Sequence, residues 1–333
     1  MDARFPLLKL PEKASRRVLQ VMDTHEIFGF SLISKECKKM SISSKTKAYD
    51  ISVNIRGKIT ISFCTIHGHI YLIFYKEPNL EWITGSNSEK KTLKPPKAVE
   101  IEVHRRRDTL KWENTKDFGL KEWLEHIHTV FDCHKDRIHF NRNSFRFDID
   151  YVKETFGNTE DLSVHHSGSY EYNESILKKF LPIEKVSFEA NVFPDSKIPP
   201  RILIQNFDTL SIDQRKDGLK CISLDDLLVI NSKRIYIDAN QTPVKMLNKF
   251  VKLWKKGANP RMEHFEIMCD NGSETDIDVI LDGIKCNEIR QESRPDMLAN
   301  KVFDTYRMDG TKATIKFKCW NNTGGLTQFR LII

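Results

Sequence analysis

No apolar run in this chain approaches the roughly 20 residues that a membrane-spanning helix needs. The longest, Ile70 to Tyr75, suits a buried strand. The first residues hold no secretory core, because Arg4, Lys9, Glu12, Lys13, Arg16 and Arg17 interrupt it. Seven cysteines, odd in number and widely scattered, argue against a disulfide framework. The expectation is a cytoplasmic or nuclear protein with reduced thiols. The sequons at Asn173, Asn271 and Asn322 then carry no meaning. A charge stripe of one sign is missing too. The net charge of +7 is spread thinly, with small clusters at Lys90–Lys91 and Arg105–Arg107. Nucleic-acid binders more often show a basic stripe interleaved with aromatics.

Motifs for bond chemistry are equally scarce. Gly57-Lys58-Ile59-Thr60 lacks the upstream glycine and the lysine–hydroxyl adjacency of a phosphate loop, and fits a hairpin turn. His126, His128, Cys133 and His134 lie close in sequence, but two-residue spacing sends helical side chains to different sides. His67/His69 and His165/His166 read as turn or surface histidines. No G-x-S-x-G nucleophile elbow occurs. These absences point to a non-catalytic protein with no cofactor and no metal.

What the chain does have begins with helix. Charged residues are 30% and hydrophobic ones 39%, as in an ordinary globular protein. Pro11 opens a first helix with Val18, Leu19 and Met22 on its apolar stripe. Thr24 and Ser34 are expected N-caps of two more. The serine run Ser41 to Ser44 reads as the linker that ends the module. About forty residues hold little core of their own, so this module needs a partner or a neighbouring domain.

Strand texture follows. Ile59, Ile61 and Phe63 alternate with polar residues, and His67-Gly68 separates them from Ile70 to Tyr75 as in a hairpin. Val99, Ile101 and Val103 alternate likewise. Residues 50–115 are expected to form a small antiparallel sheet with one wet face.

From about residue 118 the pattern lengthens. Leu120, Trp123, Leu124, Ile127 and Phe131 have helical spacing. An apolar-x-apolar strand then recurs, with first members at 138, 162, 186, 210, 235 and 265, in steps of 24, 24, 24, 25 and 30. Helical candidates fill most gaps, among them Ile176–Leu181, Leu224–Ile230 and Val244–Trp254. The last is punctuated by Thr242, Pro243 and Gly257. Such steps suit a leucine-rich-repeat-like solenoid, whose period is about 20–29 residues. Asn143, Asn191 and Asn240, each five past the first apolar position, would form its asparagine ladder. Ser167, Arg215 and Asp270 interrupt it. An open α/β sheet of similar spacing is the alternative. Two final strand-like runs, Thr314–Trp320 and Thr327–Ile333, would cap the open edge.

The opening module resembles an F-box. The resemblance rests on Leu10-Pro11, Val18, Leu19, Ile27, Ser31-Leu32 and Ser34-Lys35. Downstream, Leu227 to Lys233, Thr242-Pro243-Val244-Lys245, Leu247 to Phe250, Trp254 and Gly257 to Glu263 resemble the type 2 F-box-associated domain of the nematode F-box family. The expected architecture is α/β. A three-helix F-box at 4–45 precedes an associated domain at 46–333, made of antiparallel strands at about 50–115, repeats at about 118–270 and a C-terminal cap at about 271–333.

The resemblance implies a substrate receptor of an SCF-type ubiquitin ligase, without bond chemistry of its own. Its F-box would dock on a Skp-type adaptor, and through it a cullin, by Leu10, Pro11, Val18, Leu19, Ile27, Leu32, Ser34 and Lys35. Packing inside the module is the competing role for each apolar member. The associated domain would hold a target protein. In the repeat register, Glu189, Asp213 and Asp238 form a carboxylate row on the outward face, with Tyr236 in the neighbouring column. Close carboxylates ask for a cationic partner, so the expected target segment is basic; a solvated acidic face is the plainer reading. The alternative function is a non-ligase protein-binding scaffold with the same recognition face. An enzyme on an α/β face stands third.

Overall fold

The computed structural model describes residues 7–74, 95–96, 98–103, 109–113, 116–133, 136–157, 159–215, 222–241, 243–271, 275–289, 300–319 and 326–333. The Arg105–Arg107 cluster, Lys90–Lys91, His134, Thr242 and residues 320–325 lie outside them. The fold is mixed α/β, with two compact units, Met1–Leu181 and Pro182–Ile333. That division falls within the stretch whose repeats suggested one array.

The first unit opens with α1 (Glu12–Val21), α2 (Thr24–Ile33) and α3 (Lys35–Ser43). The Pro11 carbonyl accepts the first free amides, those of Ala14 and Ser15. At α2 the expected cap moves by one residue. Asp23 holds the N-cap, and the Glu26 carboxylate accepts its N–H at 2.9 Å. Thr24 instead aims its hydroxyl at the sheet. Ser34 caps α3 as expected, accepting the Cys37 N–H at 3.1 Å. The serine run is no linker. Ser41 and Ser43 are helical, and Ser41 and Ser44 are buried. Their hydroxyls fold back on the Cys37, Met40 and Ser41 carbonyls, which lets a polar run be buried without loss.

Strands β1 (Ala48–Ile55), β2 (Ile59–Thr65), β3 (Gly68–Phe74), β4 (Ala98–Val103) and β5 (Thr109–Glu113) form an antiparallel meander. The expected turns are present: Ile55 pairs with Ile59, and Thr65 with Gly68. The meander is not a separate sheet, however. β6 (Asp136–Phe140) pairs parallel to β1, and β7 (Asp161–Val164) parallel to β6. Helices α4 (Leu120–Phe131), α5 (Ile149–Phe156) and α6 (Tyr170–Phe180) supply the connections. The three N-terminal helices share this core. Phe28 of α2 lies edge-on to Phe63 of β2 at 5.6 Å and stacks on Trp112 of β5 at 5.8 Å.

In the second unit β8 (Lys185–Glu189), β9 (Thr209–Gln214), β10 (Arg234–Gln241) and β11 (His264–Asn271) are parallel neighbours. Their apolar pairs lie in register. Val186, Leu210, Ile235 and Phe265 form one buried row, and Phe188, Ile212, Ile237 and Ile267 the next. Connections carry α7 (Pro200–Leu203), α8 (Leu224–Val229) and α9 (Val244–Lys255); α10 (Asp276–Leu281) follows β11. Pro243 precedes α9, and Gly257 follows it at φ 110°. Then come β12 (Cys286–Ile289), β13 (Asn300–Tyr306), β14 (Lys312–Cys319) and β15 (Leu326–Ile332), an antiparallel run. β15 returns to pair with β11, so the antiparallel run continues the sheet from its parallel edge.

The asparagine ladder takes another form. Asn143 sits in the left-handed region at φ 71° and gives its backbone N–H to the Ser167 carbonyl, the equivalent place one turn on. Among the described residues the side chains of Asn143, Asn191 and Asn240 bridge no neighbouring turn, and the Asn191 Oδ1 is buried with no hydrogen bond. Asn259 does that work instead: its amide donates to the Leu227 and Ile230 carbonyls, both at 2.9 Å.

Candidate functional site

Two surfaces carry the residues singled out above, one in each unit. In the first, the eight adaptor candidates divide by burial. Pro11 and Lys35 are exposed, while Leu10, Val18, Leu32 and Ser34 are half-buried. Leu19 and Ile27 have no exposed surface at all, so they hold α1 and α2 in place rather than face a partner. Ser34 spends its hydroxyl oxygen on the α3 cap. The apolar surface that is open lies beside them. Leu8 is 58% exposed, Val21 80% and Ile33 70%. Sequence reading missed these three because an apolar residue in a short helix looks like core until its face is known.

The same helices are tied to the rest of the first unit. Thr24 Oγ1 lies 2.6 Å from Thr65 Oγ1, and Ser31 Oγ lies 2.7 Å from His126 Nε2. His128, two residues on, turns elsewhere: its ring contacts the Cys133 carbonyl and Asp136. Spacing of two on α4 thus separates the histidines, as helical geometry requires.

On the second unit the outward face is built by the strand register. Glu189 lies opposite Asp213, and Asp213 opposite Asp238, on adjacent strands about 4.8 Å apart. Alternation puts Ser187, Ser211, Tyr236 and Glu266 in the neighbouring column of the same face. The expected row therefore exists as a row, and all three carboxylates are partly exposed. Sequence reading missed the group that already answers them. Arg215, just past β9, bonds Asp213 through Nε at 3.2 Å and Nη2 at 3.0 Å. The same Nη2 lies 3.4 Å from an Asp238 oxygen. A planar fork reaching two carboxylates is a geometry lysine cannot copy.

Tyr236 stands beside this clamp, its ring 5.2 Å from that of His264. His264 in turn contacts Glu266 at 3.2 Å. Glu266 is 8% exposed and also accepts from Arg330, at 2.8 Å, and Gln328. Burial pushes the Glu266 carboxyl up, but His264, Arg330 and Gln328 together outweigh it, so its pKa lies below the usual glutamate value. Met268, 41% exposed, ends the Asp238 row on β11. The face thus offers one partly exposed carboxylate row answered by Arg215, one buried carboxylate held by Arg330, His264 and Gln328, one aromatic and one thioether.

Residues 198–267 match the family described as F-box associated. Over that segment the chain is similar to F-box-associated proteins. It is 23% identical over 311 residues to the F-box associated domain-containing protein sdz-33 of Caenorhabditis elegans, covering 93% of each chain. No solved structure matches. The F-box-associated segment contains β9, β10, Arg215, Asp213 and Asp238, and it ends within β11. It also contains Asn259, whose two carbonyl bonds give a physical reason for the Gly257 to Glu263 motif. Among the described residues no helix is long and apolar enough to cross a membrane.

Proposed function

We propose that this chain recruits target proteins to an SCF-type ubiquitin ligase and does no bond chemistry itself. The three N-terminal helices dock on a Skp-type adaptor, which joins a cullin. The outward face of the second unit holds the target. The observation that carries this reading is the pairing, in one chain, of an F-box-associated segment with a preceding three-helix module that leaves Leu8, Val21 and Ile33 open. So much exposed apolar side chain on so small a module supports docking on a partner. Within the candidate set, Leu10, Pro11, Val18, Leu32 and Lys35 are the members with surface to offer.

Co-purification with the adaptor tests it. Leu10→Ala with Pro11→Ala is expected to lose adaptor capture with an unchanged circular dichroism spectrum. A wild-type chain that captures no adaptor sinks the proposal. A second reading, a binding scaffold outside any ligase, is favoured by the burial of Leu19 and Ile27 and by the seating of α2 on β2 and α4. It predicts target binding that is indifferent to the adaptor.

A further inference from the structure

The start of α2 and the β2–β3 turn enclose a cavity of about 440 Å³ in the first unit. Thr24 ties its walls together through Thr65 and through the Gly68 carbonyl, 3.2 Å away. The lining is rich in donors: Asp23, His25, Cys64, His67 and His69. Ile66, Ile70 and Val103 complete the lining, so polar donors and apolar side chains share it. At its rim Asp23, His25 and Glu26 each offer one ligand atom, and the three atoms lie within 4.8 Å of one another. The α2 cap makes this closeness. Glu26 reaches back to the Asp23 N–H, which brings two carboxylates together and keeps a second Glu26 oxygen for another bond. His25 is 6% exposed, so its ring is held by packing rather than swinging in solvent.

Two carboxylates and an imidazole at this spacing form a mixed N/O donor set, and Cys64, His67 and His69 line the same cavity. Zn²⁺ takes such ligands, and Mg²⁺ or Ca²⁺ prefer oxygen alone. We propose that this corner binds a divalent transition metal of the zinc class through Asp23, His25 and Glu26, with a further donor drawn from the cavity residues Cys64, His67 and His69. Such a metal pins the second N-terminal helix to the β2–β3 turn. Metal bound only by the folded chain stabilises it by mass action. The proposal does not rest on the ligase reading, because its ligands are none of the residues assigned to adaptor or target.

The test uses the full chain, stripped with chelator and titrated with Zn²⁺ in a calorimeter. Saturable binding near one equivalent is expected, with a rise in the melting temperature. Co²⁺ in place of Zn²⁺ should give visible ligand-field bands. Glu26→Gln keeps an acceptor for the Asp23 N–H, so it should fold normally and bind Zn²⁺ roughly tenfold or more weakly. Absence of saturable Zn²⁺ binding overturns the proposal. So does a folded Glu26→Gln chain that binds as the wild type does. His25→Gln, where it folds, must weaken binding as well; if it does not fold, Glu26→Gln decides alone.

Discussion

Ser31 and His126 meet in the buried seam between α2 and α4, with Oγ and Nε2 2.7 Å apart. The serine hydroxyl gives its only proton to the Phe28 carbonyl at 2.6 Å, so it must accept from an Nε2–H. His126 therefore carries a proton on Nε2. Burial, then the Lys38 and Lys116 charges, lower its pKa from 6.5 to about 4.

A pH dependence of stability follows. A histidine whose folded pKa is depressed is protonated first in the unfolded chain. Its contribution is complete above pH 6.5 and is lost as pH falls towards about 4. The size is about 3 kcal/mol. Urea midpoints measured from pH 7.5 to 4 should fall across that window, and less so in His126→Gln. A His126 resonance titrating near 6.5 in the native protein contradicts the argument.

Asn259 should be the costliest polar position in the F-box-associated segment. It is 6% exposed, sits at φ 48°, and donates to two carbonyls. Asn259→Ala leaves both carbonyls unmet and is expected to cost about 2–4 kcal/mol. Asn259→Asp sets a carboxylate against the same two oxygens and should cost more. Denaturant unfolding of the two variants gives the order; equal stabilities refute it.

Gly168 tests local packing. It lies at φ 109°, and a Cβ there would come 2.8 Å from the Phe145 ring. Gly168→Ala combines backbone strain with a clash, at an expected cost of about 1–3 kcal/mol. A variant as stable as the wild type means that the turn after β7 is looser than its geometry states.

The carboxylate row makes a prediction about binding. Lysine- and arginine-rich peptides should bind the second unit's outward face, more weakly at high salt. Replacing Glu189, Asp213 and Asp238 by serine should abolish that binding and leave the fold intact. Arg215→Gln removes the internal competitor and should tighten it severalfold. Peptide arrays read by fluorescence anisotropy decide the matter; binding unmoved by the triple variant ends the idea.

Much of the fold was legible because strands announce themselves by alternation. Val186/Phe188 through Phe265/Ile267 line up residue for residue, since a period of two with one buried face fixes register. Long amphipathic helices such as α4 and α9 were readable for the same reason. The parallel pairing with intervening helices is common to the repeat and open-sheet readings. What stayed hidden depends on long-range partners. β1 has an antiparallel neighbour in β2 and a parallel one in β6, and no local pattern distinguishes such a strand. Ser41 and Ser44 are buried because the chain closes over them, not because serine prefers it. Within the candidate site, the carboxylate row was legible from register. Arg215 was not, because its reach across to Asp238 is set by side-chain torsions beyond the strand end.

The rows of strands β8 to β11 divide labour along each strand. Inward positions such as Leu210 and Ile212 meet the core, while outward ones such as Ser211 and Asp213 are partly exposed and pair across the strands. Substitution at the first kind unsettles the whole unit; at the second it changes stability by about half a kcal/mol. A lineage of such proteins is therefore free to rewrite what it recognises one surface residue at a time, while inheriting the scaffold unaltered.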